Sequence, residues 1–97
     1  MLMAKNLDQV MQIVIDYRNA QGWESNDQPN NLAKSIFIES TELLRNFEHN
    51  RREHSLENIK EEVADILMYV LALTHDLGFS AEEIVLERIN SLIENKL

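Results

Sequence analysis

The sequence predicts an all-α protein, and three observations carry that prediction. Four segments place apolar residues at helical steps of three and four. Glycine and proline, which helix interiors disfavour, number only two and one. No segment shows the apolar–polar alternation of a half-buried strand.

The first helix is expected from about Asn6 to Ala20, with Leu7, Val10, Met11, Val14 and Ile15 on its apolar stripe. Gly22 and the polar run from Glu24 to Asn30 then break the pattern with turn-forming residues. Asn30 is a candidate N-cap for a second helix over residues 31–47, which carries Leu32, Ile36, Leu43 and Phe47 on one side. A polar connector from His49 to His54 follows. Ser55 is placed to cap the third helix, from Leu56 to Leu77, the longest and most apolar, with Gly78 as its stop. Ser80 and Glu83 have capping-box spacing, and Phe79 and Ile84 have hydrophobic-staple spacing, so the fourth helix starts at Ala81 and runs to about Asn95. Short connectors pack sequential helices against each other. The expected architecture is a four-helix bundle forming one domain over residues 1–97.

Composition excludes several function classes. The net charge is −8, from 17 acidic and 9 basic residues, which disfavours nucleic acid, since such binding rests on neutralising phosphates with cations. Without cysteine there is neither a disulfide framework nor a thiolate metal site. No apolar run approaches the roughly 18 residues of a membrane span, and the N-terminus lacks the basic-then-apolar layout of a secretion signal. A cytoplasmic protein with no membrane and no nucleic-acid partner is the expectation. A domain this short buries only about 60–65% of its unfolded surface. Hydrophobic residues nonetheless make up 44% of the chain, a surplus that points to self-association.

Helical spacing also raises a chemical question. Glu39 follows Ile36 by three and precedes Leu43 by four, which sets it within the apolar stripe of the second helix, with Glu42 beside it. On the third helix Glu62 lies between Ile59 and Ile66, in line with Tyr69 and Leu73, and Asp65 sits one turn on. Two neighbouring helices thus each carry an acidic pair where apolar residues are expected. Ionised carboxylates in a core are costly unless paired, and Arg45 and Lys60 are expected to point elsewhere. Glu39, Glu42, Glu62 and Asp65 therefore form a candidate site for magnesium, or manganese in its place. Magnesium takes oxygen ligands and is commonly completed by substrate phosphates. The competing reading makes these acids members of surface salt bridges.

The string Glu39-Ser-Thr-Glu42-Leu43-Leu44, followed by Glu61-Glu62-Val-Ala-Asp65-Ile-Leu-Met-Tyr69, resembles the paired ExxE and ExxD motifs of the MazG-like superfamily. These all-α nucleoside triphosphate pyrophosphohydrolases include all-α dUTPases and dCTP pyrophosphatases. Trp23, Pro29, Asn31, Leu32 and Ala33 look like the lead-in of the short dCTP-pyrophosphatase-like branch, so the resemblance covers roughly residues 20–97. Three features depart from the pattern. Ile38 stands where a Gly often precedes the first Glu, Asp27 replaces the lead-in His, and Asn95-Lys96-Leu97 takes the place of a Lys/Asn-rich stretch ending in Tyr. The resemblance implies magnesium-dependent hydrolysis of a nucleoside triphosphate between its α and β phosphates. Glu39, Glu42, Glu62 and Asp65 would ligate the metal, and Glu39 or Glu61 would orient or deprotonate a water. It also implies a homodimer or a dimer of dimers. The third helix agrees, since Val63, Leu67, Val70 and Leu71 spread its apolar surface beyond one stripe.

Among the candidate substrate contacts, Trp23 either stacks on a base or plugs the core, and the Tyr69 hydroxyl either meets the site or completes packing. Asn31, within the lead-in, joins them. Lys34, Arg88, Asn95 and Lys96 are candidate phosphate contacts. A di-iron bundle would need Glu-x-x-His pairs, but Glu42 is followed at that spacing by Arg45 and Asp65 by Met68. The non-enzymatic alternative is a helical interaction module, such as an antitoxin or adaptor, with the acids at a partner interface.

Overall fold

A computed structural model describes residues 5–48 and 55–95. It contains four helices, α1 (Leu7–Gln21), α2 (Pro29–Arg45), α3 (Leu56–Asp76) and α4 (Ala81–Glu94), and no strand among the described residues. The expected all-α class is what forms. The connector from His49 to His54, and Lys96, lie outside the described residues.

The helix ends follow from local chemistry. Asn6 caps α1 by accepting from the Gln9 amide at 2.9 Å. At the other end Gly22 adopts φ 72°, and its N–H and that of Trp23 donate to the Asn19 and Arg18 carbonyls. This Schellman closure needs a left-handed residue, which glycine supplies without Cβ strain. It turns Trp23 back toward the helix it follows. Asn30 is not the cap of α2. The helix begins earlier, with Gln28 at the cap position and Pro29 in the first turn, where its fixed φ suits a helix and its missing N–H costs nothing. Ser55 caps α3 as expected, accepting from the Asn58 amide at 3.2 Å, and Gly78 at φ 81° closes it.

At the start of α4 the capping box is only half formed. Ser80 Oγ accepts from the Glu83 amide at 3.1 Å. The second contribution comes from α1, where the Asp8 carboxylate accepts from the Ser80 hydroxyl and from the Glu82 amide. These bonds, the Ser80 hydroxyl first, hold the Asp8 carboxyl below its ordinary value. A carboxylate at a helix N-terminus also meets the positive end of the helix dipole.

All three other helices pack on α3. Met11, Leu71 and Ala81 join α1, α3 and α4, while Ile15, Leu32 and Ala72 join α1, α2 and α3. The arrangement is centred on α3 and does not close into a ring of four. The chain turns by 96° between α3 and α4, and α4 returns against α1. Much apolar surface stays open as a result. Phe37 on α2 is 73% exposed and Leu44 63%, Leu86 on α4 is 54% exposed, and Val63, Leu67 and Val70 of α3 are also exposed. The radius of gyration is 15.7 Å, against about 13 Å for a compact domain of this length. Among the described residues, no single helix is long and apolar enough to cross a membrane.

Candidate active site

The floor of the site is set by heptad-like rows on two helices. On α2 the row is Leu32, Ile36, Glu39, Leu43 and Asn46; on α3 it is Asn58, Glu62, Asp65, Tyr69 and Ala72. Steps of four and three bring each row onto one helical face. Glu39, Glu42 and Glu62 are half-buried, as the stripe argument requires, while Asp65 is exposed.

Beside this face opens a cleft of about 600 Å³, lined mainly by α1, the turn after it and α3. Trp23, Tyr17 and Tyr69 supply its aromatic wall, with Asp65 and Asp27 at its polar edge. The Trp23 and Tyr17 rings meet edge to face, with centroids 5.5 Å apart and planes at 81°. Such an arrangement fixes one ring against the other and adds to simple burial. Trp23 is therefore exposed cleft wall rather than a core plug. Burial pushes the Tyr69 hydroxyl up, and the negative charges of Glu39, Asp65 and Asp27 push it further. The hydroxyl is thus protonated at neutral pH and available as a donor next to acids.

Each candidate metal ligand has its own surroundings. Glu62 accepts from Asn46 Nδ2 at 2.6 Å and from Asn58 Nδ2 at 3.3 Å. Glu42 Oε1 lies 3.4 Å from Arg45 Nη1, which corrects the expectation that Arg45 points away. Both groups are about half exposed, so this pair contributes only a few tenths of a kcal/mol. Lys60 pairs with Glu57 instead, away from the site. Glu39, Glu62 and Asp65 have no ion-pair partner among the described residues. Their oxygen-only chemistry and unbalanced charge fit a hard divalent cation. Among the described residues, no three acids or histidines already converge on one point.

The other candidates divide. Asn31 donates to the Asn26 carbonyl at 3.0 Å and so steadies the loop that carries Asp27. Lys34 lines a separate shallow groove with Ala33, Phe37 and Ile38, not the cleft. Glu61, Arg88 and Asn95 are exposed, and Asn95 is the residue that ends α4.

The sequence reading passed over Tyr17, Arg18, Asn46 and Asn58. Arg18 lies at the cleft and forms a bidentate pair with Asp76 at 2.7 and 3.1 Å, tying the end of α1 to the end of α3. A signal for it existed: Met11, Ile15 and Arg18 are spaced four and three, so a cation occupies the apolar stripe of α1. Asn46 likewise continues the stripe of α2.

Fold and site together define a class: a small all-α protein with an aromatic cleft between α1 and α3, edged by Asp65 and Asp27. A family model described as the MazG-like family matches residues 31–96. The chain belongs to the MazG-like family. The crystal structure of a pyrophosphatase from Archaeoglobus fulgidus is similar, with 26% identity and a TM-score of 0.75, covering 98% of this chain and 97% of that one. No curated protein sequence matches the chain significantly.

Proposed function

We propose that this protein hydrolyses a nucleoside or deoxynucleoside triphosphate to the monophosphate and pyrophosphate, with magnesium, as part of nucleotide-pool house-cleaning. One observation carries the reading: an aromatic cleft large enough for a base adjoins Asp65 and Glu39, which have no ion-pair partner among the described residues. The family and the similarity to a pyrophosphatase support it.

Trp23 and Tyr17 offer ring faces and edges for a base, and Tyr69 offers a hydrogen-bond donor toward a phosphate oxygen. Glu39, Glu42, Glu62 and Asp65 would hold magnesium, which when bound neutralises phosphate charge and lowers the pKa of a coordinated water. Glu42 leaves its exposed pairing with Arg45 at little cost. Glu39 or Glu61 would orient the attacking water. Glu39 is favoured, because its charge acts on Tyr69 at the cleft whereas Glu61 is exposed. In-line displacement at phosphorus needs mainly positioning and charge stabilisation, so the lack of a cysteine nucleophile is no obstacle. Incubation with a panel of standard and modified nucleoside triphosphates plus magnesium should release monophosphate and pyrophosphate in equal amounts. Orthophosphate as the first product would indicate another hydrolase, and no turnover at all would favour a helical interaction module.

The working unit in this proposal is a homodimer or a dimer of dimers. The exposed apolar faces of α2, α3 and α4 and the large radius of gyration support it. Two of them, α2 and α3, carry the acids, so a second copy packed on their open faces would lie close to each site. Sedimentation equilibrium of the full chain at micromolar concentration is expected to show at least a dimer. A folded, active species of 11.3 kDa would overturn the assembly.

A further inference from the structure

Asn46 is among the most completely buried side chains of the described residues, at 1% exposure. It is polar, and it sits where α2 ends. Its amide nitrogen donates to Glu62 Oε2 at 2.6 Å and to the Glu42 carbonyl at 3.2 Å. Its amide oxygen accepts from Asn58 Nδ2 at 3.1 Å, and the same Asn58 nitrogen reaches Glu62 Oε1 at 3.3 Å. The three side chains close a triangle. Its orientation is forced, because an ionised carboxylate only accepts, so both amides must turn their NH₂ groups toward Glu62. Ser55, which caps α3 through the Asn58 amide, anchors the third corner from behind.

This arrangement goes beyond what helix packing needs. A buried amide used only for packing is readily replaced by an apolar side chain, and a buried carboxylate used only for structure is usually met by a cation. Here two neutral donors hold Glu62. Each of its oxygens takes one hydrogen bond and keeps a lone pair free, and among the described residues no cation pairs with it. Glu42 differs, since it faces Arg45. Neutral donors that fix a carboxylate and leave its charge unspent are what an outer shell of a metal site supplies.

Resting on the magnesium-site reading above, we infer that Asn46, braced by Asn58, is the positioning residue of the metal centre. It locks the Glu62 carboxylate in one orientation and fixes the spacing between the two acid-bearing helices. It touches neither substrate nor metal, and acts through Glu62.

The test is Mn²⁺ binding by the full-length protein, followed through the electron paramagnetic resonance signal of free Mn²⁺, alongside thermal melting without metal. Asn46→Leu keeps a γ-branched, helix-compatible shape, at somewhat larger volume, but removes the donor. It should weaken Mn²⁺ binding by about 10- to 100-fold, the range typical for loss of an outer-shell partner, while remaining folded by circular dichroism. Asn58→Ala should weaken binding in the same direction, and it carries the test alone if Asn46→Leu does not fold. A merely structural role would lower the melting temperature and leave the Mn²⁺ affinity of the folded variants unchanged. That result overturns the inference while leaving the metal site standing. A wild-type protein that binds no Mn²⁺ removes the metal reading and this inference with it.

Discussion

Asp65→Ala and Glu62→Ala are each expected to reduce pyrophosphohydrolase turnover by about 10³-fold or more, a loss of roughly 4 kcal/mol of transition-state stabilisation. Both remove an anionic oxygen donor from a set that has to balance divalent charge and triphosphate. Their effects on stability should diverge. Asp65 is exposed and accepts no hydrogen bond from the described residues, so its loss relieves repulsion at little structural cost. Glu62 accepts from two amides, and its removal leaves the Asn46 NH₂ only its longer bonds to the Glu42 and Leu43 carbonyls, which costs about 1 kcal/mol. Melting curves without metal separate the two variants. Steady-state assays of pyrophosphate release check the first claim, and wild-type turnover in both variants would remove these residues from the site.

The largest expected loss of stability belongs to Arg18. Its side chain is 10% exposed and grips Asp76 in a two-point pair, with Asp76 itself 20% exposed. Arg18→Ala leaves a partly buried carboxylate without its cation, at a cost between those of exposed and buried pairs, about 2–3 kcal/mol, or a fall in melting temperature of roughly 8–24 °C for a domain of this size. The Nε of Arg18 has no partner among the described residues, so the pair is incompletely satisfied. The double variant Arg18→Met/Asp76→Leu should therefore recover much of the loss. Acid provides a second check. The hydrogen bonds from Arg18, chiefly, hold the Asp76 carboxyl below its ordinary value of 3.8. A lowered carboxyl contributes its full stability above that ordinary value and loses it as pH falls below 3.8 through the lowered value. Wild-type melting should hold level down to about pH 4 and then drop. Asp76→Asn should start lower and show a smaller acid step, with the part due to Asp8 remaining. A single-variant cost under about 1 kcal/mol would class the pair with exposed salt bridges.

The sequence by itself determined the elements that depend on neighbours in the chain. Gly22, Gly78, Ser55 and Ser80 mark helix ends because capping is decided within a few residues. The misplaced cap at Asn30 shows the same rule, since Pro29 had the stronger local claim. Periodicity also put Glu39, Glu42 and Glu62 on inward faces, because a helix's geometry fixes which side chains share a side. What the chain alone could not supply were relations between faces. Asp8 caps a helix that begins 73 residues later, and Arg18 meets Asp76 across 58 residues. Trp23 and Tyr69, far apart in sequence, wall one cleft with Tyr17. Only packing reveals that Asn46 and Asn58 close on Glu62, since an amide's partners are chosen by distance in space. The 96° turn after α3 leaves apolar faces open for the same reason. Local spacing says that a residue is apolar, and tertiary structure decides whether anything covers it.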